Sequence, residues 1–457
     1  MRSHGLLRKI LLALLVIIIL FALAVFFGLF RTSSVAPGVA QPLSDAQMQE
    51  LRPRGRELAL VGDCFGCHSK PQGPMGAGGL AIGTPFGTLH STNITPDPTH
   101  GIGGYTRADF HRVLRDGIAP GNRNLYPAMP YVFTHLTRPE DIDALYAYFM
   151  SLPPIAQANV PNTGAFRLPV RQFMNFWNLL NFPNRQPPDD PQRSAQWLRG
   201  GYLVEGLGHC AACHTPQNVM MGTDFSRPLQ GGEIDGMRVP DITAATLTQR
   251  GFNVDTLSQY LSTGIAPQGT AFAGMYTVVH FSTGAMESGD VEAVATYLLT
   301  GPDGKIAAPA APPAPLPAAT AADTPASATT ATGDAATATA AATGSGADLT
   351  AGRLSYMSAC AGCHGANGEG IPNVAPAMKG NSTLAMADPH NLISVVLNGV
   401  PTQTFPGGQR MYAMPGFAHL LSDQEIAELA TWARAEWGGQ AKPVTEAQVG
   451  AMPRSRD

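Results

Sequence analysis

The sequence predicts an all-α protein: one N-terminal membrane-spanning helix followed by three repeated helical domains. Three observations carry that reading. An uncharged run of 21 residues, Ile10 to Phe30, stands near the start of the chain. One pattern, Cys-x-x-Cys-His, occurs three times. Each copy is flanked by the same landmarks, a glycine and a short helical stretch before it and a glycine-ended helix after it.

The apolar run comes first. At ~1.5 Å per residue it spans about 31 Å as a helix, enough for a hydrocarbon core of roughly 30 Å. A cleaved signal peptide has an apolar stretch of only about 7–15 residues before a small-residue site. Gly38-Val39-Ala40 offers such a site but lies far from the start of the run. Residues 1–31 are therefore read as an uncleaved anchor. Arg2, Arg8 and Lys9 precede the run and keep its N-terminus in the cytoplasm, so everything after residue 31 is exported.

A chain of 457 residues has room for about three domains of 100–150 residues. With 29 basic and 33 acidic residues the net charge is -4, which gives no basis for a nucleic-acid partner. The 50 glycines, 39 prolines and low charge suit compact helical domains whose loops wrap a large apolar group.

The three copies of the pattern are Cys64-Phe65-Gly66-Cys67-His68, Cys210-Ala211-Ala212-Cys213-His214 and Cys360-Ala361-Gly362-Cys363-His364. This is the attachment pattern of a c-type haem. Two thiols add to the porphyrin vinyl groups, and the adjacent histidine offers a ring nitrogen to the iron. Cys64, Cys67, Cys210, Cys213, Cys360 and Cys363 are thus the expected covalent anchors of three haems c, with His68, His214 and His364 as iron ligands. Those six are all the cysteines of the chain, so no thiol remains for a disulfide. A redox dithiol would need a βαβ setting, and zinc would need four ligands where each motif brings three. In bacteria this attachment occurs outside the cytoplasm, so the expected location is the inner membrane, single-pass, with the haem domains on the periplasmic side.

Gly55 and Gly201 stand nine residues before their first cysteine and Gly352 eight before Cys360, each opening a helical stretch towards the haem. Downstream, Leu114-Arg115-Asp116-Gly117-Ile118-Ala119-Pro120 matches Leu261-Ser262-Thr263-Gly264-Ile265-Ala266-Pro267, with a shorter third copy at Leu397-Asn398-Gly399-Val400-Pro401. Each reads as a helix stopped by glycine with proline soon after. A closing helix follows. Thr137-Arg138-Pro139-Glu140 and Ser422-Asp423-Gln424-Glu425 both fit a capping box, and Tyr146, Tyr148, Tyr297 and Trp432 on the closing helices are expected in the core. The expected domains are 45–155, 195–302 and 347–440. Residues 32 to about 50 read as an exposed spacer. Residues 303–346 read as a linker, since 40 residues from Ala307 to Gly346 hold 18 Ala, 8 Thr and 6 Pro without apolar periodicity.

A haem that only carries electrons has its sixth iron position filled, and methionine sulfur there raises the potential. Met129 and Met275 both lie 61 residues after their motif histidine, and Met414 lies 50 after His364. With the shared landmark upstream, these three are the expected sixth ligands. Met286 competes with Met275, and Met411 with Met414, but only Met414 shares the Met-Pro pattern of Met129. Met220 and Met221 read as pocket wall. His90, His100, His111, His135, His209, His280, His390 and His419 read as loop or helix-surface residues.

Thr84-Pro85-Phe86-Gly87-Thr88-Leu89-His90-Ser91-Thr92-Asn93-Ile94-Thr95-Pro96-Asp97-Pro98, His100-Gly101-Ile102-Gly103 and Tyr126-Pro127-Ala128-Met129-Pro130-Tyr131 add a more specific signal, as do Gly208-His209-Cys210 and Met414-Pro415-Gly416-Phe417. In these the chain resembles the three-haem cytochrome c subunits of the membrane-bound alcohol, aldehyde and gluconate/sorbitol dehydrogenases of acetic acid bacteria and relatives. The resemblance covers roughly residues 51–300 and 347–440. It implies three class I cytochrome c domains behind the anchor. It also implies a catalytic dehydrogenase partner of molybdopterin, pyrroloquinoline quinone or flavin type, in some complexes a further small subunit, and ubiquinone in the membrane as electron acceptor. It supports Met129, Met275 and Met414 as sixth ligands. The N-terminal anchor and the Ala/Thr/Pro linker depart from the alcohol dehydrogenase pattern and tilt the expected partner towards an aldehyde dehydrogenase. Two rival readings stand beside this one: a haem enzyme, peroxidase or reductase, with one open iron position, and a free-standing or oxidase-linked multi-haem carrier.

Overall fold

The computed structural model describes residues 2–31, 34–35, 37–168, 171–306, 308–309 and 349–454. Most of the expected linker, from residue 310 onwards, lies outside the described residues. Helix α1 (Arg2–Phe26) contains the apolar stretch Leu7–Phe26, almost all of it exposed. By length and composition it can cross a membrane. It stops four residues short of the end of the apolar run, because Gly28 adopts φ +70° and turns the chain. The segment expected as an exposed spacer is instead partly tied down. The Ser34 amide donates to Asp116 at 3.1 Å, and a 3₁₀ turn at Pro37–Ala40 buries Val39.

Next come α2 (Asp45–Val61), started by a capping box from Ser44, α3 (Arg107–Asp116), α4 (Pro139–Met150) and α5 (Met174–Asn181). Helix α6 (Ala195–Tyr202) runs straight into a π-helical turn at Leu203–Leu207, and α7 (Val254–Thr263) and α8 (Ser288–Leu299) follow. The last set is α9 (Leu349–Ala359), α10 (His390–Asn398) and α11 (Asp423–Gly438).

One packing device occurs three times. A glycine on α2, α6 and α9 lets each helix cross its closing partner, α4, α8 or α11, backbone against backbone. A Cβ on Gly55 would stand 1.9 Å from the Ala144 carbonyl oxygen. On Gly200 it would stand 2.0 Å from that of Ala293, and on Gly352 2.2 Å from that of Glu428. Tyr148, Tyr297 and Trp432 lie beside these glycines in turn. The spacing along the chain pairs Gly201 with Gly55, but the crossing residue is Gly200, ten residues before Cys210. The π-helical turn absorbs the extra residue, which a count along the chain cannot see.

The expected helix stops are present: Gly117, Gly264 and Gly399 have φ of +64°, +75° and +73°. The chain after each turns back in a short antiparallel contact, Ile118–Ala119 with Arg123–Asn124, Ile265–Ala266 with Gly269–Thr270, and Val400 with Met414. With further hairpins at 81–90, 230–241 and 403–411, the fold is mostly helical rather than purely α. The capping box at Ser422 forms, whereas that at Thr137 does not. Thr137 is fully buried one residue before the cap position. The free Arg138 amide donates to the Tyr202 hydroxyl at 3.1 Å instead.

The chain forms two compact units. Of the described residues, one holds those within 2–248, 253–262 and 273–308, and the other 249–252, 263–272, 309 and 349–454. In the first, Tyr131, Val132, Phe133, Trp177 and Ala211 form one core cluster. In the second, Tyr356, Ile393, Ile426 and Ala430 are nearly or fully buried around the α9–α11 crossing.

Candidate haem-binding sites

Each Cys-x-x-Cys-His motif folds as one helical turn, at Cys64–Cys67, Ala211–His214 and Ala361–His364. Residues three apart in a helical turn share a face, so the two thiols of a motif stand together. Burial pushes the Cys64, Cys67 and Cys210 thiols up to about 12 and that of Cys360 to about 11. Among the described residues no group of three or more His, Cys, Asp or Glu is placed to hold a metal ion.

The motif histidines share one arrangement. Nδ1 of His68 lies 2.6 Å from the Thr92 carbonyl oxygen, that of His214 2.8 Å from Pro240, and that of His364 2.8 Å from Pro376. A carbonyl only accepts, so Nδ1 carries the proton and donates, which leaves the Nε2 lone pair for iron. Burial lowers the pKa of His68 and His364 and keeps those rings neutral. Sequence reasoning missed these three carbonyls. No side-chain signal marks them, since any residue in the same backbone conformation supplies the same oxygen.

In the second unit an apolar cavity of about 230 Å³ is lined by Cys360, Cys363, His364, Met378, Met411 and Met414, among others. Two thiols, an imidazole and thioethers within apolar walls suit a covalent haem with a sulfur sixth ligand. The Met414 backbone is pinned to the segment after Gly399 by two bonds with Val400, both 2.9 Å. Its competitor Met411 shares the cavity, as does Met378, which the spacing argument did not weigh. In the first unit, the Met129 amide donates to the Tyr126 carbonyl at 3.0 Å and its own carbonyl accepts from Tyr131 at 2.8 Å. Met275 sits in the helix Ala273–Phe281. Both side chains are half-buried.

The first two motifs are neighbours. His209, directly before Cys210, has Nε2 3.3 Å from the Gly62 carbonyl oxygen, and the Ser282 hydroxyl donates to the Val61 carbonyl at 3.3 Å. Between them Asp63 is buried with one carboxylate oxygen unpartnered, and burial pushes it up to about 7. His209, His111 and His135 are among the residues read as loop or helix-surface, and His209 and His135 do lie in turns. Yet His111 is 1% exposed and bonds Asp143 at 2.8 Å, and His135 is buried beside the Arg185 carbonyl at 3.2 Å. These three are structural contacts, which a histidine's sequence position does not announce.

The cytochrome c family model matches residues 349–435. A nicotinate dehydrogenase component of Pseudomonas putida is 38% identical over 93% of this chain, which spans 34% of that protein's length. The cytochrome c subunit of the quinone alcohol dehydrogenase of Gluconacetobacter polyoxogenes is 34% identical over 91% of this chain and 87% of its own. The gluconate 2-dehydrogenase cytochrome c subunit of Pantoea cypripedii is 35% identical over 89% of this chain and 90% of its own.

Proposed function

The chain belongs to the cytochrome c subunits of alcohol and gluconate dehydrogenase complexes, and from that premise we propose that it carries electrons over three haems c from a periplasmic catalytic subunit to ubiquinone in the inner membrane. The observation that carries the number three is the imidazole-to-carbonyl bond, made alike by His68, His214 and His364. A bound haem c supplies a one-electron couple at its iron. The protein's part is to hold that group and set its surroundings. Cys64, Cys67, Cys210, Cys213, Cys360 and Cys363 tether it. Thr92, Pro240 and Pro376 aim the histidines through their carbonyls. Met129, Met275 and Met414 are the proposed sixth ligands.

The bonds from His209 and Ser282 to the turn before Cys64 support direct electron exchange between the first two sites. On this reading the protein spans three cytochrome c domains, 45–155, 195–302 and 347–440, behind an anchor formed by α1. The donor is an aldehyde or alcohol dehydrogenase. The 38% identity to the nicotinate dehydrogenase component favours a second donor, a dehydrogenase acting on nicotinate.

Purification from membranes in mild detergent, with mass spectrometry of the chain and its partners, tests the proposal. The chain is expected to carry the mass of three haems, to show low-spin ferric spectra throughout, and to arrive with a catalytic subunit that reduces a quinone with an aldehyde, an alcohol or nicotinate. Recovery of the chain alone would favour a free-standing carrier. A high-spin component would favour a haem enzyme.

A further inference from the structure

Helix α5 is built inside out. Asn175, Asn178 and Asn181, three residues apart and so on one face, are only 8%, 8% and 5% exposed. Leu179 and Leu180 of the same helix are 56% and 70% exposed, and Phe173 just before it 53%. A helix beside water does the reverse, burying its leucines and exposing its asparagines. The buried asparagines are tolerated because each makes a hydrogen bond. Asn175 Nδ2 donates to the Phe26 carbonyl at 2.9 Å, and Asn181 Nδ2 to that of Trp177 at 3.0 Å. Asn178 accepts from the Tyr131 hydroxyl at 2.7 Å.

A second apolar element joins the exposed face. The chain turns back through Asn218-Val219-Met220-Met221 and pairs Gln217 with Thr223. This turn is fastened to α5. The Trp177 indole N–H donates to the Met220 carbonyl at 2.9 Å, and the Asn218 amide to the Asn181 side chain at 2.8 Å. Val219 is fully exposed at the tip, and Met220 and Met221 are 41% and 39% exposed. Single exposed apolar residues need no explanation, but a group of six on two joined elements marks a contact.

Continuity with α1 names the partner. Its apolar stretch Leu7–Phe26 is about 30 Å long as a helix, which sets Phe26 at the edge of a hydrocarbon core of roughly 30 Å. The Phe26 and Phe173 rings meet at 5.5 Å, and Leu179 lines one depression with Val25 and Phe30. Helix α5 is therefore joined to the anchor at the level where lipid gives way to water.

From this juxtaposition we infer that Phe173, Leu179, Leu180, Val219, Met220 and Met221 form a ridge that sits in the interfacial layer of the bilayer, a second membrane contact beside α1. The inference rests on the proposal that α1 is the anchor, and it adds a surface to it. An apolar face of this kind sinks about 5–10 Å into the boundary between headgroups and acyl chains. Two contacts fix the tilt of the first unit against the membrane, which a single helix leaves free.

The test uses the full haem-loaded chain in nanodiscs of phosphatidylethanolamine and phosphatidylglycerol, doped with a phospholipid that carries a diazirine on its acyl chain. Illumination is expected to leave lipid adducts on peptides from 10–26, 171–182 and 217–223. Val219→Cys is expected to react with a bulky water-soluble maleimide about tenfold more slowly than Leu420→Cys, the scale of burying one apolar side chain. Leu420 is 73% exposed and far from α5 in the sequence. Adducts confined to 10–26, or equal rates for the two cysteines, overturn the ridge while leaving the anchor. A chain without adducts on 10–26 overturns the anchor as well. Ridge adducts that vanish when the catalytic subunit is bound assign the surface to a protein partner and overturn the inference. Photolabelling needs no variant, so a misfolded cysteine variant does not stall the test.

Discussion

His135 shows how one buried side chain couples stability to acidity. Burial is the largest influence on its pKa and lowers it from 6.5, although its bond to the Arg185 carbonyl works the other way. The folded ring therefore resists a proton that the unfolded chain accepts at any pH below 6.5 and above the lowered folded value. Within that window the unfolded state binds more protons, so stability rises with pH and is lost as pH falls. Thermal unfolding followed between pH 5 and 7 is expected to show the midpoint dropping on the acid side. His135→Gln, which keeps a donor but cannot titrate, is expected to flatten that slope. An unchanged slope would place the sensitivity elsewhere, with His209, also lowered by burial, as the next residue to replace. None of this was legible from the residue's place in Thr134-His135-Leu136.

At the scale of elements, the recurring unit is a helix ended by glycine and a returning segment that presents methionine. In the last set, Gly399 leaves no room for a side chain: a Cβ would stand 2.4 Å from the Met414 carbonyl oxygen. That close approach, with the two Val400 bonds, fixes the backbone of Met414. Met411 is fixed differently, in the short pairing of Arg410–Met411 with Gln403–Thr404. Met414→Ala is expected to turn one of the ferric haems high-spin, while Met411→Ala leaves all of them low-spin and costs about 2–5 kcal/mol of stability as a cavity in the core. Electronic spectra of the two variants decide between them. The reverse result would make Met411 the ligand and the Met-Pro pattern incidental.

For the whole molecule, Asp141 is the joint between the first two helix sets. Its carboxylate is fully buried on α4, paired with Arg54 of α2, and accepts from the Tyr202 hydroxyl of α6 at 2.6 Å. The same hydroxyl accepts from the Arg138 amide at the start of α4. Tyr202→Phe removes a donor from a buried carboxylate and an acceptor from a buried amide, and is expected to cost about 1–3 kcal/mol. Denaturant unfolding of the full chain would reveal it. A loss below about 0.5 kcal/mol, within the usual range of surface substitutions, would mean that the two sets are held together by packing alone.

What the sequence determined by itself was chemistry written in residue types at fixed spacing. The Cys-x-x-Cys-His turns, the glycine stops before Ile118, Ile265 and Val400, and the apolar helix were all visible, because local rules of helix geometry and hydropathy act over a few residues. The tertiary structure decided what those rules do not reach. It chose Gly200 over Gly201, because a π-helical turn shifts the count. It capped α4 with Tyr202, more than sixty residues away, rather than with Thr137. It supplied the carbonyls of Thr92, Pro240 and Pro376 that aim the histidines. Each of these depends on which distant backbone comes within hydrogen-bond reach. That is a property of packing, and residue type along the chain does not encode it locally.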